Sequence, residues 1–358
     1  MKNILITFTA ILILNSCKDN GTQPPQTKSV RDYTWTADTL AYEGSAQTLM
    51  RSIWGSSAND IYICGHNDRS KGNLWHYDGT KWTAVDLFQT VESTANTLYA
   101  VHGTAPDNVW VVGSKIKNNP DPPPNFLNPS FIIQYNGSKW VEHKVNTSSA
   151  IQSVYAVSAN EVWACGADGI VYSYNNGIWD IDTIKITPPT LDYQLNNIIK
   201  YKDKLYCFGR NSAEQGAKDT YYFFEKNTSG WAKVDSFIIQ TGSLEFKWGP
   251  SAFYISKDNK LYSHGFGGVF EFTGSSWNNL FHTDYAITDM SGVAANNFLL
   301  SADFGHVFHY NGNDWKELEA LYQYDVVYTG VWRDEDEAFI IGRDLSGYPQ
   351  TTIVWHGK

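Results

Sequence analysis

The chain has 358 residues, 15% aromatic and only 18% charged, with a formal net charge of −10 at pH 7. That length can bury several cores, and 14 Trp, 22 Tyr and 18 Phe beside 28 Gly suit a turn-rich all-β protein. The acidity, with no basic stripe anywhere in the sequence, argues against nucleic acid as a partner and is read as solubility.

Residues 1–16 are predicted to lie outside the fold. Lys2 gives a positive start, and residues 4–14 form an apolar run too short to span a bilayer. The run ends at Leu14-Asn15-Ser16-Cys17. This resembles the lipobox of bacterial lipoprotein signal peptides, in which the cysteine is lipidated before cleavage. The resemblance implies lipidation of Cys17, membrane attachment through that lipid only, and a place in the bacterial cell envelope as an outer-membrane lipoprotein, periplasmic or surface-exposed. Residues 17–32 then read as the lipidated cysteine and a flexible tether: from Lys18 they are polar, Gly- and Pro-containing, and without apolar periodicity.

Residues 33–358 are built on one repeated phrase. It reads best as Asp60-Ile61-Tyr62-Ile63-Cys64-Gly65, then Leu74-Trp75-His76-Tyr77-Asp78-Gly79-Thr80-Lys81-Trp82. A short apolar strand ends on glycine, a loop follows, and an aromatic strand runs through a polar-Gly turn into a strand that opens with Trp. The phrase returns at Val109–Gly113 with Gln134–Trp140, and at Val162–Gly166 with Tyr174–Trp179. Three more diverged copies follow, around Tyr206 and Trp231, Tyr262 and Trp277, and Phe298 and Trp315. A seventh, at Ala338–Gly342 and Thr352–Lys358, stops where the Trp strand is due. That strand is supplied by the other end, because Tyr33-Thr34-Trp35-Thr36-Ala37-Asp38 matches Lys81-Trp82-Thr83-Ala84-Val85-Asp86. The prediction is an all-β, seven-bladed β-propeller of four-stranded blades, strands A to D, its last blade closed by the N-terminal strand.

Within that frame the repeated Trp residues are packing groups. Cys64, Cys165 and Cys207 are predicted to be small buried residues, and Cys64 and Cys165, in the same slot of different blades, to lie far apart. His102, His264, His306 and His309 occupy strand slots that other blades fill with Trp, Tyr or Ser, and read as core or channel-lining.

Loop lengths give the best functional clue. The A–B turns are short, at residues 56–59, 104–107, 158–160 and 333–336. The B–C loops run from three residues (167–169 and 303–305) to long insertions at 66–73, 114–130, 210–220 and 343–351, and the D–A connections at 181–194 and 236–250 are long too. B–C and D–A loops share one face of a propeller, so that face is the predicted binding face. Candidate ligand-binding residues there are Asp68, Arg69, Arg210, Arg343, Asp344 and Tyr348, with Trp248 as an aromatic platform. Residues 118–126, Asn-Asn-Pro-Asp-Pro-Pro-Pro-Asn-Phe, read as a stiff, polyproline-like insertion.

No catalytic residue, cofactor or metal site is predicted. The sequence contains no His-Glu-x-x-His, no Gly-x-Ser-x-Gly, no calcium loop of alternating acids and no Cys pair. The stretch from Leu74 to Thr83 resembles the Tyr-Asp…Trp strand pair of a kelch repeat, with one glycine at Gly65 where kelch has two. The chain is more similar to divergent kelch-like propellers of bacterial lipoproteins. That resemblance implies the fold over residues 33–358 and no specific activity. The expectation is a lipid-anchored, non-enzymatic binding or scaffold module for protein or glycan. The alternative is a propeller enzyme acting on carbohydrate, a hydrolase or lyase.

Overall fold

The computed structural model describes residues 28–69, 71–87, 96–121, 126–187, 193–212, 218–240, 245–294 and 296–358. The predicted signal segment, Cys17 and residues 18–27 of the tether lie outside the described residues.

The repeated phrase is a turn that locks itself. In blade 1 the Asp78 carboxylate accepts the backbone N–H groups of Thr80 (2.9 Å) and Lys81 (3.0 Å), and Gly79 sits at φ 88. Asn136 and Asn311 do the same in blades 2 and 6. The strand-C tyrosines Tyr77, Tyr135 and Tyr310 each donate to the carbonyl of the turn glycine at 3.1 Å. The strand-D Trp then stacks on the tyrosine it faces in register, as in Tyr77–Trp82 at 5.0 Å and Tyr310–Trp315 at 4.6 Å between ring centroids. Asx in a φ > 0 turn, tyrosine before it and tryptophan after it are one cooperative unit.

Seven four-stranded antiparallel sheets follow among the described residues. Blade 1 is Thr48–Ser57, Asp60–Asn67, Leu74–Tyr77 and Trp82–Ala84. Blade 2 is Asn96–Ala105, Asn108–Lys115, Ser130–Tyr135 and Trp140–Glu142; blade 3 is Ile151–Ser158, Glu161–Gly166, Ile170–Asn175 and Ile178–Thr183. Blade 4 is Tyr193–Tyr201, Lys204–Ser212, Lys218–Asn227 and Gly230–Gln240; blade 5 is Ala252–Ile255, Leu261–Gly265, Gly268–Phe272 and Trp277–Phe281. Blade 6 is Ile287–Ala294, Asn297–Ala302, Val307–Tyr310 and Trp315–Glu317. Blade 7 is Val326–Arg333, Ala338–Asp344, Thr351–Gly357 and, as its outer strand, Trp35–Leu40. The predicted closure holds in detail, from Trp35 opposite Gly357 to Leu40 opposite Thr352.

Strand A is innermost in every blade, and six of the seven A strands carry a bulge at the same height. Arg51, Tyr99, Gln152, Asn196, Thr288 and Thr329 are left out of the A–B ladder. The glycine that ends strand B makes room for this inner chain. A Cβ on Gly65, Gly113 or Gly166 would lie 2.3, 2.0 or 2.1 Å from the carbonyl oxygen of Leu49, Thr97 or Ala150. At Gly209 the nearest atom is a Phe224 ring carbon at 3.1 Å. Gly113→Ala is therefore expected to cost ~1–3 kcal/mol in urea denaturation, through backbone displacement, and Gly209→Ala clearly less. Equal costs would remove the close approach as the reason for the glycine.

Each interface between neighbouring blades has its own core. Leu98, Val111 and Phe131 pack on Tyr62 and Cys64 between blades 1 and 2, and Phe339 and Ile341 on Met50, Ile61 and Ile63 between blades 7 and 1. Polar links between A strands join all seven interfaces. Ser52 Oγ accepts from Val101 N (3.2 Å), His102 Nδ1 from Ala156 N (3.1 Å), Asn197 Oδ1 from Phe253 N (3.2 Å) and Asp289 Oδ2 from Val331 N (2.9 Å). Asn197 also donates to Ser153 Oγ, Tyr254 to the Gly292 carbonyl and Thr329 to the Met50 carbonyl.

One expectation is corrected by the N-terminal residues. Residues 28–32, read as the end of a flexible tether, belong to the fold. Val30 is 1% exposed in the core between blades 6 and 7, and Arg31 pairs with Asp314 at 3.0 Å and donates to His309 Nδ1 at 3.1 Å. The cysteines are buried and free, as read, and Cys64 and Cys165, which hold the same slot in their blades, lie in different cores, whereas Cys165 and Cys207 are neighbours. They share the core between blades 3 and 4, where their thiols interact. Cys165 stands one residue before its glycine and Cys207 two before, and a one-residue offset on a strand turns the side chain to the other face.

Candidate functional site

The A–B and C–D turns, short throughout, make one face of the ring, and the B–C and D–A segments make the other. A cavity of about 350 Å³ runs along the axis between them. Its wall is made of A-strand residues, among them Ser52, His102, Ser153, Asn197 and Asp289 with the aromatics Trp54, Tyr155 and Tyr254. Among the lining residues Asp289 is the one carboxylate, so the paired acids of glycoside hydrolysis are not assembled there. Among the described residues no three His, Cys, Asp or Glu side chains converge as metal ligands.

Burial pushes the Asp289 carboxyl up to about 7 from an ordinary 3.8, although the Val331 and Met290 N–H groups stabilise its anion. Between those values the folded chain keeps a proton that the unfolded chain has lost. The stability from this group therefore falls as pH rises from about 4 and is gone above 7. His102 and His264 act in the opposite sense: burial lowers both to about 4, so folding opposes their protonation and stability falls as pH drops from 6.5 towards 4. Asp289→Asn removes only the first effect. Relative to the parent, the variant is expected to gain roughly 2 kcal/mol between pH 5 and 7 in urea titrations. A pH-independent difference would show that Asp289 titrates normally.

The loop face carries two features that the short-turn face lacks. The first is aromatic. Among the described residues the exposed aromatics are Phe266, Phe304, Tyr322, Tyr324 and Tyr348, and all lie in B–C or D–A segments. Tyr324 is 68% and Tyr348 79% exposed. The segments of blades 6 and 7 that carry four of them are tied together, Gln323 N to the Gly305 carbonyl at 3.4 Å and Leu345 N to the Asp325 carbonyl at 3.0 Å. Phe304 stands at φ 51, where blade 3 places Asp168 at φ 59 in the same three-residue turn. Such turns favour Asx and Gly, so the turn itself does not select an outward phenylalanine.

The second feature is the collar of bulged residues where the A strands enter the ring from the loop face. Each follows a buried residue and is itself accessible, and Arg51 is the one that carries charge. Its guanidinium lies over the Tyr99 ring at 5.1 Å. Arg343 follows Phe339 and Ile341 along the side of strand B that faces blade 1. Burial, and secondly the charge of Arg51, hold its guanidinium below the ordinary arginine range. His66 is lowered by burial and by Arg51 as well.

The sequence-predicted residues divide. Arg343 and Tyr348 stand on this surface. Asp68 is structural: it accepts from Ser45 Oγ and from the N–H groups of Ala46 (2.9 Å) and Gln47 (2.8 Å), which holds its carboxyl below the usual range. Arg69 donates to the Gly44 carbonyl at 2.8 Å, Arg210 pairs with Asp219 at 2.8 Å across blade 4, and Asp344 caps its own loop at Ser346 N, 2.9 Å. Trp248 is no platform. It is 0% exposed, edge-on to Phe237 at 4.5 Å and parallel to Phe208 at 5.9 Å. The ends of the proline-rich insertion pair as a short ladder, Lys117 with Leu127 and Asn118 with Phe126, and residues 122–125 lie outside the described residues. Arg51, Tyr99, Phe304, Tyr322 and Tyr324 were not singled out from sequence.

No family model matches the sequence, and no curated protein matches it. Solved structures do. One described as YCF48 bound to D1 peptide superposes with a TM-score of 0.60 at 13% identity, over 91% of this chain and 97% of that one. YCF48 from Cyanidioschyzon merolae gives 0.58 at 12% identity, over 89% and 98%. Neither is described as a kelch protein. At such identities the likeness establishes the β-propeller fold alone.

Proposed function

We propose that the chain is a lipid-anchored, extracytoplasmic propeller that binds protein partners without chemical turnover, through the face formed by its B–C and D–A loops. The gathering of the exposed aromatics on that face carries the reading. Aromatic side chains with a wet edge are the commonest anchors of protein interfaces, and the loop segments here are hydrogen-bonded to one another rather than free. A neighbouring propeller of the same outline was solved with a peptide bound, which supports peptide as the ligand class.

Selection of a random peptide display library on the mature chain tests the binding reading. Enrichment that is lost in a Tyr324→Ser/Tyr348→Ser variant supports it. Enrichment indifferent to that variant, or turnover of a glycan by the purified chain, would replace it. The anchor is tested separately: Cys17→Ser is expected to move the chain from the membrane fraction to the soluble one, and persistence at the membrane would remove the lipid from the account.

A further inference from the structure

We infer that Arg51 and Arg343 form an anion subsite at the loop-face mouth of the axial cavity, and that it takes a carboxylate of a bound peptide. The inference rests on the peptide-binding reading above and names the chemistry of one of its contacts.

The chain has six arginines. Arg31 is paired with Asp314, Arg69 with the Gly44 carbonyl, Arg210 with Asp219, and Arg333 with Asn297 Oδ1 at 2.7 Å. Among the described residues Arg51 and Arg343 alone have neither a hydrogen-bond acceptor nor an acid. Arg343 Nε is also fully buried without a partner. A guanidinium carries five donors and does not give up its proton, so the usual escape of a buried ionisable group is closed to it.

The two charges are also brought together by the fold. Met50, next to Arg51, donates its N–H to Thr352 Oγ1 at 2.9 Å, and Thr352 is the residue opposite Arg343 in the blade 7 ladder. Arg51 is extruded from its own ladder by the bulge and rests on Tyr99, a ring on the next blade. The charge of Arg51 is felt at Arg343; like charges within reach of each other raise each other's energy, and an anion between them relieves both. The acids nearby do not serve. Asp68 is turned to Ser45, Ala46 and Gln47, and Asp344 to Ser346. Asp289 lies deeper, among the cavity-lining residues, and is held by Val331 and Met290. A planar carboxylate matches the guanidinium fork, and Tyr348, in the loop that Arg343 opens, offers apolar surface to flanking residues.

The experiment uses peptides enriched on the wild-type mature chain, assayed against wild type and against Arg51→Gln, an exposed change that leaves the blade cores intact. Two arms separate the sources of the carboxylate: internal Asp or Glu replaced by Asn or Gln, and the free C-terminus amidated. One arm is expected to weaken binding to wild type by about tenfold or more, and by less than about twofold to Arg51→Gln. Arg343→Gln, checked for an unchanged melting curve, is expected to behave like Arg51→Gln. Enriched peptides indifferent to both arms would overturn the anion subsite and leave peptide binding standing. Failure to enrich any peptide would overturn the peptide-binding reading, and this inference with it.

Discussion

Deleting residues 28–40 is expected to abolish cooperative folding of the whole propeller rather than to fray one edge. These residues supply the outer strand of blade 7, paired over six positions from Trp35 to Leu40, and the buried side chains of Val30, Tyr33 and Leu40. Burial of those three side chains alone is worth about 5 kcal/mol or more, comparable with the 5–15 kcal/mol that holds a typical domain folded. Val30 and Arg31 add a second tie by reaching onto blade 6, at Leu299 and Asp314. Without them blade 7 exposes the whole of Thr351–Gly357 as an unpaired edge. Circular dichroism during urea unfolding should show a lost or broad transition, restored by a synthetic peptide of residues 28–40 added in trans. A sharp transition unchanged by the deletion would mean that the ring does not depend on its closure.

Trp248→Ala is expected to cost ~3–5 kcal/mol of stability, the range for emptying a buried aromatic site. Trp248 sits at 0% exposure among Phe208, Phe223 and Phe237, in the core between blades 4 and 5. Its indole N–H has no hydrogen-bond partner. Trp248→Phe should therefore keep most of the stacking and give up no hydrogen bond, at a cost well below that of the alanine change. Thermal and urea unfolding of the two variants decide the point. A Trp248→Ala protein of parental stability would contradict the packing described here.

The blades were legible in the sequence because each is specified locally. Tyr-Asx-Gly followed within four residues by Trp is a turn, its cap and its stacking pair, and no distant contact is needed to read it. The closure was legible for the same reason, since Trp35 repeats the setting of Trp82. What the sequence hid depends on one-residue offsets. A bulge leaves no composition signal, so Arg51 reads as an ordinary strand residue although it is left out of its ladder and exposed. Cys165 and Cys207 differ by one step from their glycines, and that step brings them together. Trp248 lies in a long connection, where an aromatic residue is as readily exposed as buried. Only its packing on Phe208 and Phe237 decides. Loop lengths pick out in the sequence the same face on which the structure places the exposed aromatics. The residues on it were less legible, because Asp68, Arg69 and Arg210 look free in sequence and are occupied in the fold.

Peptides enriched on the chain, rebuilt with a photo-crosslinking residue, test most directly whether the loop face is the binding face when their adducts are mapped by mass spectrometry. Adducts are expected at the loop-face positions around Phe304, Tyr322, Tyr324 and Tyr348, and to fall away in Arg51→Gln for peptides that carry an essential carboxylate. Adducts confined to the A–B and C–D turns, around Asn59, Asp107, Gly177 and Gly312, would contradict the account.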